Sequence, residues 1–352
     1  MSPLTWRSLF VRLLPWALLL AIVLAISPGI GTQDIGVVDA WRALRAPSDA
    51  SNPTAGIAWE IRFPRTLKAL VAGVTLALAG AIFQTLFRNP LATPYTMGIA
   101  SGASLGALIA YKIGWLHVVA GLSTVSLAAF IGALVVLGVV LLLARSSARL
   151  SGQTLLLAGV TIGFFCSGMM IFVTSLADVT QTYLTVRWMM GSLDTFGGVE
   201  LTALLPIVVP AWIIMLLLAR GLNQFAVGAE IAATRGVNVA RLEVIGILVG
   251  SLAVAAVVSL CGPIGFVGLI IPHLARLING GDHRALLPTA ALLGGVFLIV
   301  CDFLTTLLPM GYAALSGREV TVARLPIGVM TALIGTPVFL VLLCARRAGR
   351  RL

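Results

Sequence analysis

The clearest candidates for chemistry in this sequence are two arginines, Arg62 and Arg65, in the run RFPR. The proline within the run fixes a backbone angle, which keeps the spacing of the two guanidinium groups stiff. Two fixed cations at a surface would bind an acidic partner. The alternative is that both long side chains lie along an apolar surface and extend only their charges into water.

Two other segments hold polar residues of the types that bind protons or solutes. His273 and Arg276, in IIPHLARLINGGDHR, have the residue types of a proton relay, although a histidine near a helix end is commonly structural. The segment LADVTQTYLTVRWMMGSLD carries Asp178, Gln181 and Arg187. Its apolar residues recur at helical spacing, which fits either the lining of an outer vestibule or ordinary packing; they are Val186, Met189, Met190 and Leu193.

Motifs of the common catalytic and metal sites are missing from the 352 residues. There is no GxxxxGK[ST] phosphate loop, no HExxH and no GxSxG. The four cysteines lie singly in apolar runs, which predicts neither a disulfide frame nor a metal site; they are Cys166, Cys261, Cys301 and Cys344. We therefore expect no catalytic residue, metal or cofactor in this chain, and any ATP and Mg²⁺ would be bound by a partner ATPase.

The elements that carry these residues are membrane spans by composition. The chain is 59% hydrophobic and 10% charged, with a mean hydropathy of +1.08, whereas soluble domains are about a quarter charged. So few charges cannot cover a soluble surface of this size. The expected fold class is an all-α polytopic membrane protein, with residues 1–352 forming a single transmembrane domain.

About ten apolar runs approach the roughly 20 residues that a membrane-spanning helix needs. The first follows Arg7 and is interpreted as a retained span, with a cleaved signal peptide as the alternative. The eighth is short, contains Pro263 and Pro272, and is expected to be a broken or partly re-entrant helix. The ranges are approximately 9–27, 66–86, 94–112, 117–144, 154–176, 199–219, 243–261, 264–279, 286–308 and 325–345.

The charge distribution predicts the orientation of these spans. An even number of spans places both termini on the same side. With the termini inside, the inner segments hold fourteen arginines against Glu230, Glu243 and Asp282. The whole excess of positive charge then lies on the cytoplasmic side, as the positive-inside rule requires. The net charge of +11 therefore indicates orientation in a lipid bilayer and no nucleic-acid partner.

Two hydrophilic segments are longer than simple turns. Residues 28–65 are expected to form an outer, periplasmic loop, and residues 220–242 the largest inner loop. Within the outer loop, apolar residues at helical spacing predict a helix lying on the membrane surface; they are Ile35, Val38, Trp41 and Leu44.

The sequence also contains a weak internal similarity. Residues 64–82 resemble 239–257, and residues 155–168 resemble 324–337. The first member of each pair enters the membrane from the face opposite to its partner, which is typical of an inverted-topology repeat. Chance similarity between helices rich in Gly, Ala and Leu is the alternative.

From about residue 60 onward, the sequence resembles the permeases of binding-protein-dependent ABC importers for iron–siderophore complexes, haem and cobalamin. The similarity begins with RFPRTLKALVAGVTLALAGAIFQTLFRNPLATPYTMGIASGASLGA. It continues in the family's order through LLLAGVTIG, RWMMGSLD, GVNVARL, GPIGFVGLIIPHLARLINGGDHRALLPTAALLGG and RLPIGVMTALIGTPVFLVLL. The resemblance implies a ten-span subunit of the bacterial inner membrane. Its implied partners are a second copy in a homodimer, two cytoplasmic ATP-binding subunits and a periplasmic substrate-binding protein.

The resemblance also implies roles for particular residues. Docking to the binding protein is implied at Arg62 and Arg65; a third family arginine has no counterpart after Asp302, which leaves Arg324, or Arg318, for that contact. A cytoplasmic gate is implied at Asn89, Leu91, Ser151, Gly152 and Gln153. ATPase coupling is implied at Ala229, Glu230, Ala233, Arg235 and Gly236. From pattern alone, a simple proline-rich turn is the alternative for the gate segment at Asn89 and Leu91. A solvated loop is the alternative for the coupling segment.

Local sequence adds one structural expectation to the implied coupling segment. Residues 229–234 suit a short helix, and Gly236 suits its end. The function expected is import of a bulky metal chelate, driven by ATP hydrolysis in the partner subunits. An ion-gradient-driven secondary transporter of hydrophobic solutes is the alternative, disfavoured because no span carries an evident ionisable relay near its middle. A membrane-embedded enzyme is disfavoured by the missing motifs.

Overall fold

The computed structural model describes residues 6–31, 35–45, 53–119, 121–145, 152–194, 198–316 and 324–347. These segments are almost entirely helical. One small antiparallel hairpin pairs β1 (Val118–Val119) with β2 (Leu122–Ser123). The helices are α1 (Trp6–Ile26), α2 (Val37–Arg45), α3 (Pro53–Ile57), α4 (Phe63–Leu86), α5 (Ile99–Lys112), α6 (Thr124–Arg145), α7 (Gly152–Ser175), α8 (Val179–Met189), α9 (Val199–Leu217), α10 (Ala219–Val227), α11 (Ala229–Thr234), α12 (Val239–Cys261), α13 (Val267–Asn279), α14 (His283–Ser316) and α15 (Ile327–Arg347).

Seven helices in the described part of the chain are long and apolar enough to cross a membrane: α1, α4, α6, α7, α9, α12 and α14. The other three predicted spans contain the helices α5, α13 and α15. The predicted all-α polytopic membrane fold is therefore confirmed. The orientation of the termini and the inverted repeat stay predictions.

Helix α4 lies at the centre of the domain, where it packs against α12, α13 and α14. Of its most apolar stretch, 94% is buried. Glycines allow this close packing, since a Cβ atom on Gly73 would overlap the carbonyl oxygen of Gly294, and one on Gly80 would overlap that of Gly268. Small residues at such crossings let helix backbones approach each other in lipid.

Helices α1 and α7 lie at the periphery of the single chain. Only 6% of the apolar stretch of α1 and 11% of that of α7 are buried. Large apolar side chains of α7 are exposed as a result, among them Phe164, Phe165, Ile171 and Phe172. This surface suits lipid or another protein chain.

The predicted surface helix forms as α2, which begins at Val37, so Ile35 precedes it. Ala40 and Ala43 are its buried residues, and the exposed Trp41 donates a hydrogen bond from Nε1 to the Ala25 carbonyl (2.7 Å). Its position on the membrane surface stays a prediction, and the side chain of Leu44 lies outside the described residues.

The predicted short eighth span corresponds to α13, which has 13 residues and contains Pro272. Pro263 lies before the helix, in the non-helical link from α12. Gly262 and Phe266 in this link have positive φ angles of 67°, a backbone region that is uncommon outside glycine. A break between α12 and α13 is therefore built into the backbone.

Candidate functional site

The outer end of α4 carries a buried ion pair that the sequence alone does not indicate. Arg65 Nε donates to both carboxylate oxygens of Asp302 (2.9 and 3.0 Å), and Arg65 Nη2 donates to Asp302 Oδ1 (2.6 Å). Arg65 Nη1 also donates to the carboxylate of Asp194. The Arg65 and Asp302 side chains are only 8% and 11% exposed. The arginine therefore joins α4 to α14 and to the segment before α9.

Lys68, one turn further along α4, forms a second buried ion pair. Its Nζ donates to Glu200 Oε2 (2.7 Å) and to the Asp194 carbonyl (3.1 Å). Arg62, Arg65 and Lys68 are spaced three residues apart and so lie along one side of the helical segment. This side of α4 faces carboxylates contributed by α14, by α9 and by the segment between α8 and α9.

Arg62 is also buried, and its Nη1 donates to the carbonyl oxygens of Pro28 (2.8 Å) and Ile35 (3.4 Å). Helical structure begins before the predicted end of the outer loop at residue 65, because a π-helical turn at Ala58–Arg62 leads directly into α4. Of the three predicted docking arginines, only Arg324 is partly exposed. Docking through Arg62 or Arg65 stays a prediction and would require these buried contacts to rearrange.

Asp178 and Gln181 begin α8 as a reciprocal cap. The Gln181 backbone N–H donates to Asp178 Oδ1 (2.7 Å), and the Asp178 N–H donates to Gln181 Oε1 (3.3 Å). This capping box gives both side chains a structural role. The predicted apolar face is largely exposed in the single chain: Val186, Met189 and Met190 are exposed and only Leu193 is buried.

The predicted gate loop after α4 is a compact turn. Arg88 has a positive φ of 48°, and the Leu91 N–H donates to Asn89 Oδ1 (2.9 Å). A 3₁₀ turn at Pro94–Met97 follows, capped by Thr93 and Thr96. Leu91 is 50% exposed, which leaves an apolar side chain available at the tip of the loop.

The start of α7, which carries the second predicted gate segment, lies against this loop; the gate itself stays a prediction. A Cβ atom on Gly152 would lie 3.1 Å from Phe87 Cα, and one on Gly159 would overlap Met97. Glycines therefore allow α7 to approach the backbone on both sides of the loop. Ser151 and the side chain of Gln153 lie outside the described residues.

The predicted short helix of the coupling segment is confirmed as α11, with bounds Ala229–Thr234. Gly236, with φ of 82°, donates from its N–H to the Ala233 carbonyl (3.0 Å), and the Val237 N–H donates to the Ala232 carbonyl (3.0 Å). These two bonds form the Schellman motif that ends many helices. Glu230, Ala233, Arg235 and Gly236 are exposed, and Ala229 is partly buried.

Helix α10, just before α11, was missed in the predicted inner loop 220–242. Its buried residues recur at helical spacing, which is the signal that could have indicated it; they are Ala219, Leu222 and Phe225. They pack α10 against α4 and α14. The largest inner loop is therefore mostly helical.

Asn223 of α10 takes part in a polar network that sequence reasoning also missed. Its Nδ2 donates to Asp282 Oδ1 (2.7 Å), and its Oδ1 accepts from the backbone N–H of His283 (2.7 Å). His283 Nε2 lies 2.8 Å from Thr85 Oγ1, and Arg276 Nη2 donates to the same hydroxyl (3.4 Å). His283, rather than the singled-out His273, is thus the histidine of this network.

Asp282 remains ionised under physiological conditions. Hydrogen bonds from Arg284 hold the pKa of Asp282 far below its ordinary value, and Asn223 contributes to the same effect against the opposing effect of burial. The aspartate is therefore a constant acceptor for the Asn223 amide.

The sequence profile of the FecCD transport family matches residues 18–345. The chain belongs to the FecCD transport family. An uncharacterized ABC transporter permease protein of Bacillus subtilis, YvrB, is 37% identical over 84% of this chain and 81% of its own length. The vitamin B12 import system permease protein BtuC of Escherichia coli is 36% identical over 87% and 88%, respectively. The hemin transport system permease protein HmuU of Yersinia pestis is 35% identical over 96% and 97%.

A solved structure supports the same assignment. An inward-facing conformation of a metal-chelate type ABC transporter superposes with a TM-score of 0.77 at 30% sequence identity, covering 96% of this chain and 99% of that chain. This chain is therefore a multi-pass membrane permease of a family that serves ABC importers of the metal-chelate, cobalamin and haem type.

Proposed function

We propose that this chain is the membrane-spanning subunit of an ATP-driven importer that carries a bulky metal chelate from the periplasm to the cytoplasm. The observation that carries the proposal is the family match over residues 18–345. Relatives named for vitamin B12 and hemin transport support a metal chelate as the cargo. A ferric siderophore or haem is the first candidate, and cobalamin is the next.

ATP and Mg²⁺ are bound by two separate cytoplasmic subunits, because the 352 residues contain no phosphate loop. Helix α11 supports this arrangement, since a six-residue helix with a fixed C-terminal end can lie in a cleft of an ATPase subunit as a rigid body. Its exposed residues Glu230, Ala233 and Arg235 would contact that subunit. Closure of the ATPase subunits on ATP would push α11 and shift the permease between outward-open and inward-open states.

A second copy of this chain would cover the exposed apolar face of α7. Phe164 is 74% exposed and Ile171 is 73% exposed. Lipid tails are as apolar as these side chains, so close van der Waals packing between the copies would stabilise the interface. The pathway for the chelate would then run between the two copies, across the bacterial inner membrane. On the outer side, Arg324 is the docking arginine most accessible to acidic residues of a periplasmic binding protein.

The proposal is tested by uptake into proteoliposomes that contain the permease, its ATPase and its binding protein. Ferric hydroxamate, ferric catecholate, haem and cobalamin are offered separately, with ATP and Mg²⁺ inside. We expect uptake of one chelate class, lost when ATP is replaced by a non-hydrolysable analogue. Failure of all four chelates to enter would contradict the assigned cargo class.

The second candidate is an ion-gradient-driven transporter of hydrophobic solutes, favoured only by the apolar character of the chain. It predicts uptake by the permease alone under a proton gradient. At the outer end of α4, Arg65 is paired with Asp302 and Lys68 with Glu200. These ion pairs do not provide the proton relay that a proton-driven transporter would need.

A further inference from the structure

Two separate sets of contacts join α10 to the inner end of α4. The first is formed by Arg88, which follows α4, and Phe225 of α10. The Arg88 guanidinium lies 5.0 Å from the centre of the Phe225 ring, and its Nη2 donates to the Phe225 carbonyl (3.4 Å). An arginine within about 6 Å of an aromatic face is held by a cation–π interaction. Arg88, near the start of the gate loop, is therefore attached to α10.

The second set runs from α10 through the corner between α13 and α14. His283 Nδ1 lies 2.8 Å from Asn223 Oδ1, and His283 Nε2 lies 2.8 Å from Thr85 Oγ1. Because Asn223 Oδ1 can only accept, His283 donates to it from Nδ1. The Thr85 hydroxyl beside Nε2 also lies within hydrogen-bond distance of the Ala81 carbonyl (2.9 Å). Thr85 lies in the last turn of α4. The imidazole thus bridges α10 and α4.

Packing makes α10 a rigid support for both contacts. Leu222 and Phe225 are 0% and 2% exposed, and the amide of Asn223 is also fixed to Asp282 (2.7 Å). Helix α11 begins only two residues after α10 ends. Helix α11 also packs against α10, so a displacement of α11 can reach α10. From α10, the contacts of Phe225 and Asn223 lead to the start of the gate loop and to the α13–α14 corner.

We propose that Asn223, His283 and Arg88 are positioning residues that carry the movement of α11 to the gate loop at residues 87–98. This inference rests on the proposed function, because it assigns a route to the push that α11 would receive from an ATPase subunit. The contacts make α10, the inner end of α4 and the α13–α14 corner one mechanical unit. Without the contacts, ATP would be hydrolysed while the gate loop kept its position.

The test compares chelate uptake with ATP hydrolysis in proteoliposomes that contain the full complex. Two double variants are used, Asn223→Ala with Arg88→Ala, and the milder Phe225→Leu with Arg88→Lys. We expect the amount of chelate transported per ATP hydrolysed to fall at least about fivefold, the lower range of typical coupling between sites. ATP hydrolysis and the amount of assembled complex should change less than twofold. A purely structural role would lower assembly, hydrolysis and uptake together, and that result would overturn the proposal.

A charge swap distinguishes a specific bridge from general damage. Asn223→Asp alone places a second carboxylate beside Asp282, whereas Asn223→Asp with Asp282→Asn restores one amide facing one carboxylate. We expect the single variant to lose coupling and the swapped pair to regain at least half of the wild-type ratio. Failure of the swap to restore coupling, with the complex assembled, would contradict a role for this bridge.

The control is Asn279→Ala, which removes an amide hydrogen bond to Thr289 Oγ1 (2.5 Å) between α13 and α14. This hydrogen bond does not join α10 to α4, so its loss should leave transport per ATP unchanged. A fall equal to that of the Asn223→Ala and Arg88→Ala double variant would show that any inner-side amide matters equally, and would overturn the proposal. Uptake by the wild-type complex is measured in parallel, so that a failed proposed function is recognised by the absence of ATP-driven uptake in every sample.

Discussion

Replacement of Asp302 by alanine should destabilise the outer end of the domain, because it leaves Arg65 buried without its main partner. Three hydrogen bonds of 2.6 to 3.0 Å join the two side chains, and the Arg65 side chain is only 8% exposed. Breaking a buried pair from one side costs about 3–5 kcal/mol. Asp194 keeps one contact with Arg65, so we expect the lower end of this range, about 3 kcal/mol.

The double replacement Arg65→Met with Asp302→Leu supplies the decisive comparison. Apolar residues of similar size often replace a buried ion pair at little cost. We therefore expect the double variant to be more stable than Asp302→Ala, although it carries two changes. The assay is thermal unfolding of the purified permease in detergent at a fixed heating rate, since membrane proteins often unfold irreversibly.

The exposed ion pair between Asp39 and Arg42 provides the control. Its side chains are 62% and 75% exposed, and such pairs contribute about 0–1 kcal/mol. Asp39→Ala should therefore leave the unfolding temperature almost unchanged. Arg65→Met and Asp302→Leu are also measured alone. If the fall in unfolding temperature of the double variant equals the sum of the two single falls, Arg65 and Asp302 do not act as a pair.

Three further predictions follow from exposed or titrating residues. Ala233→Trp should abolish co-purification of the ATPase subunit without changing the unfolding temperature of the permease alone, because Ala233 is exposed; retained co-purification would exclude α11 from that contact. Arg324→Glu should weaken binding of the periplasmic protein by about tenfold, measured by titration at low salt, whereas Arg42→Glu on the outer helix α2 should not; equal losses would indicate only general electrostatic attraction. Burial opposes ionisation of Asp194, but the charge of Arg65 and hydrogen bonds hold the pKa of Asp194 below its ordinary value. The Asp194 carboxylate therefore stabilises the fold fully above about pH 4, and this stabilisation is lost as the pH falls through its lowered pKa. Unfolding temperatures of the wild type and Asp194→Asn should converge only below about pH 4, and convergence at higher pH would contradict this.

Local patterns predicted the elements whose structure depends on nearby residues. The apolar runs predicted where the spanning helices lie, because a membrane helix is recognised by its own composition. The short helix α11 was predicted with its bounds, since residues 229–234 favour helix and Gly236 favours its end. Helix α10 was missed because Leu222 and Phe225 lie in a short segment that also holds Arg220, Asn223 and Gln224, so its apolar spacing was not recognised.

The buried networks were not predictable, because they join residues far apart in sequence. Arg65 and Asp302 are separated by 237 positions, and His283 and Thr85 by 198. From sequence, Arg65 had the pattern of an exposed docking residue, and only packing of α4 against α14 shows that its charge is neutralised within the domain. His283 likewise gave no local signal, because its partners come from α4 and α10.

The most direct test of the account is the energy source for transport. The chelate that the complex binds is added outside proteoliposomes that contain the permease, its ATPase and its binding protein. Uptake is measured with internal ATP or with only an imposed proton gradient. We expect uptake of the chelate with ATP and none with the proton gradient alone. Uptake driven by the gradient in the absence of ATP would contradict it.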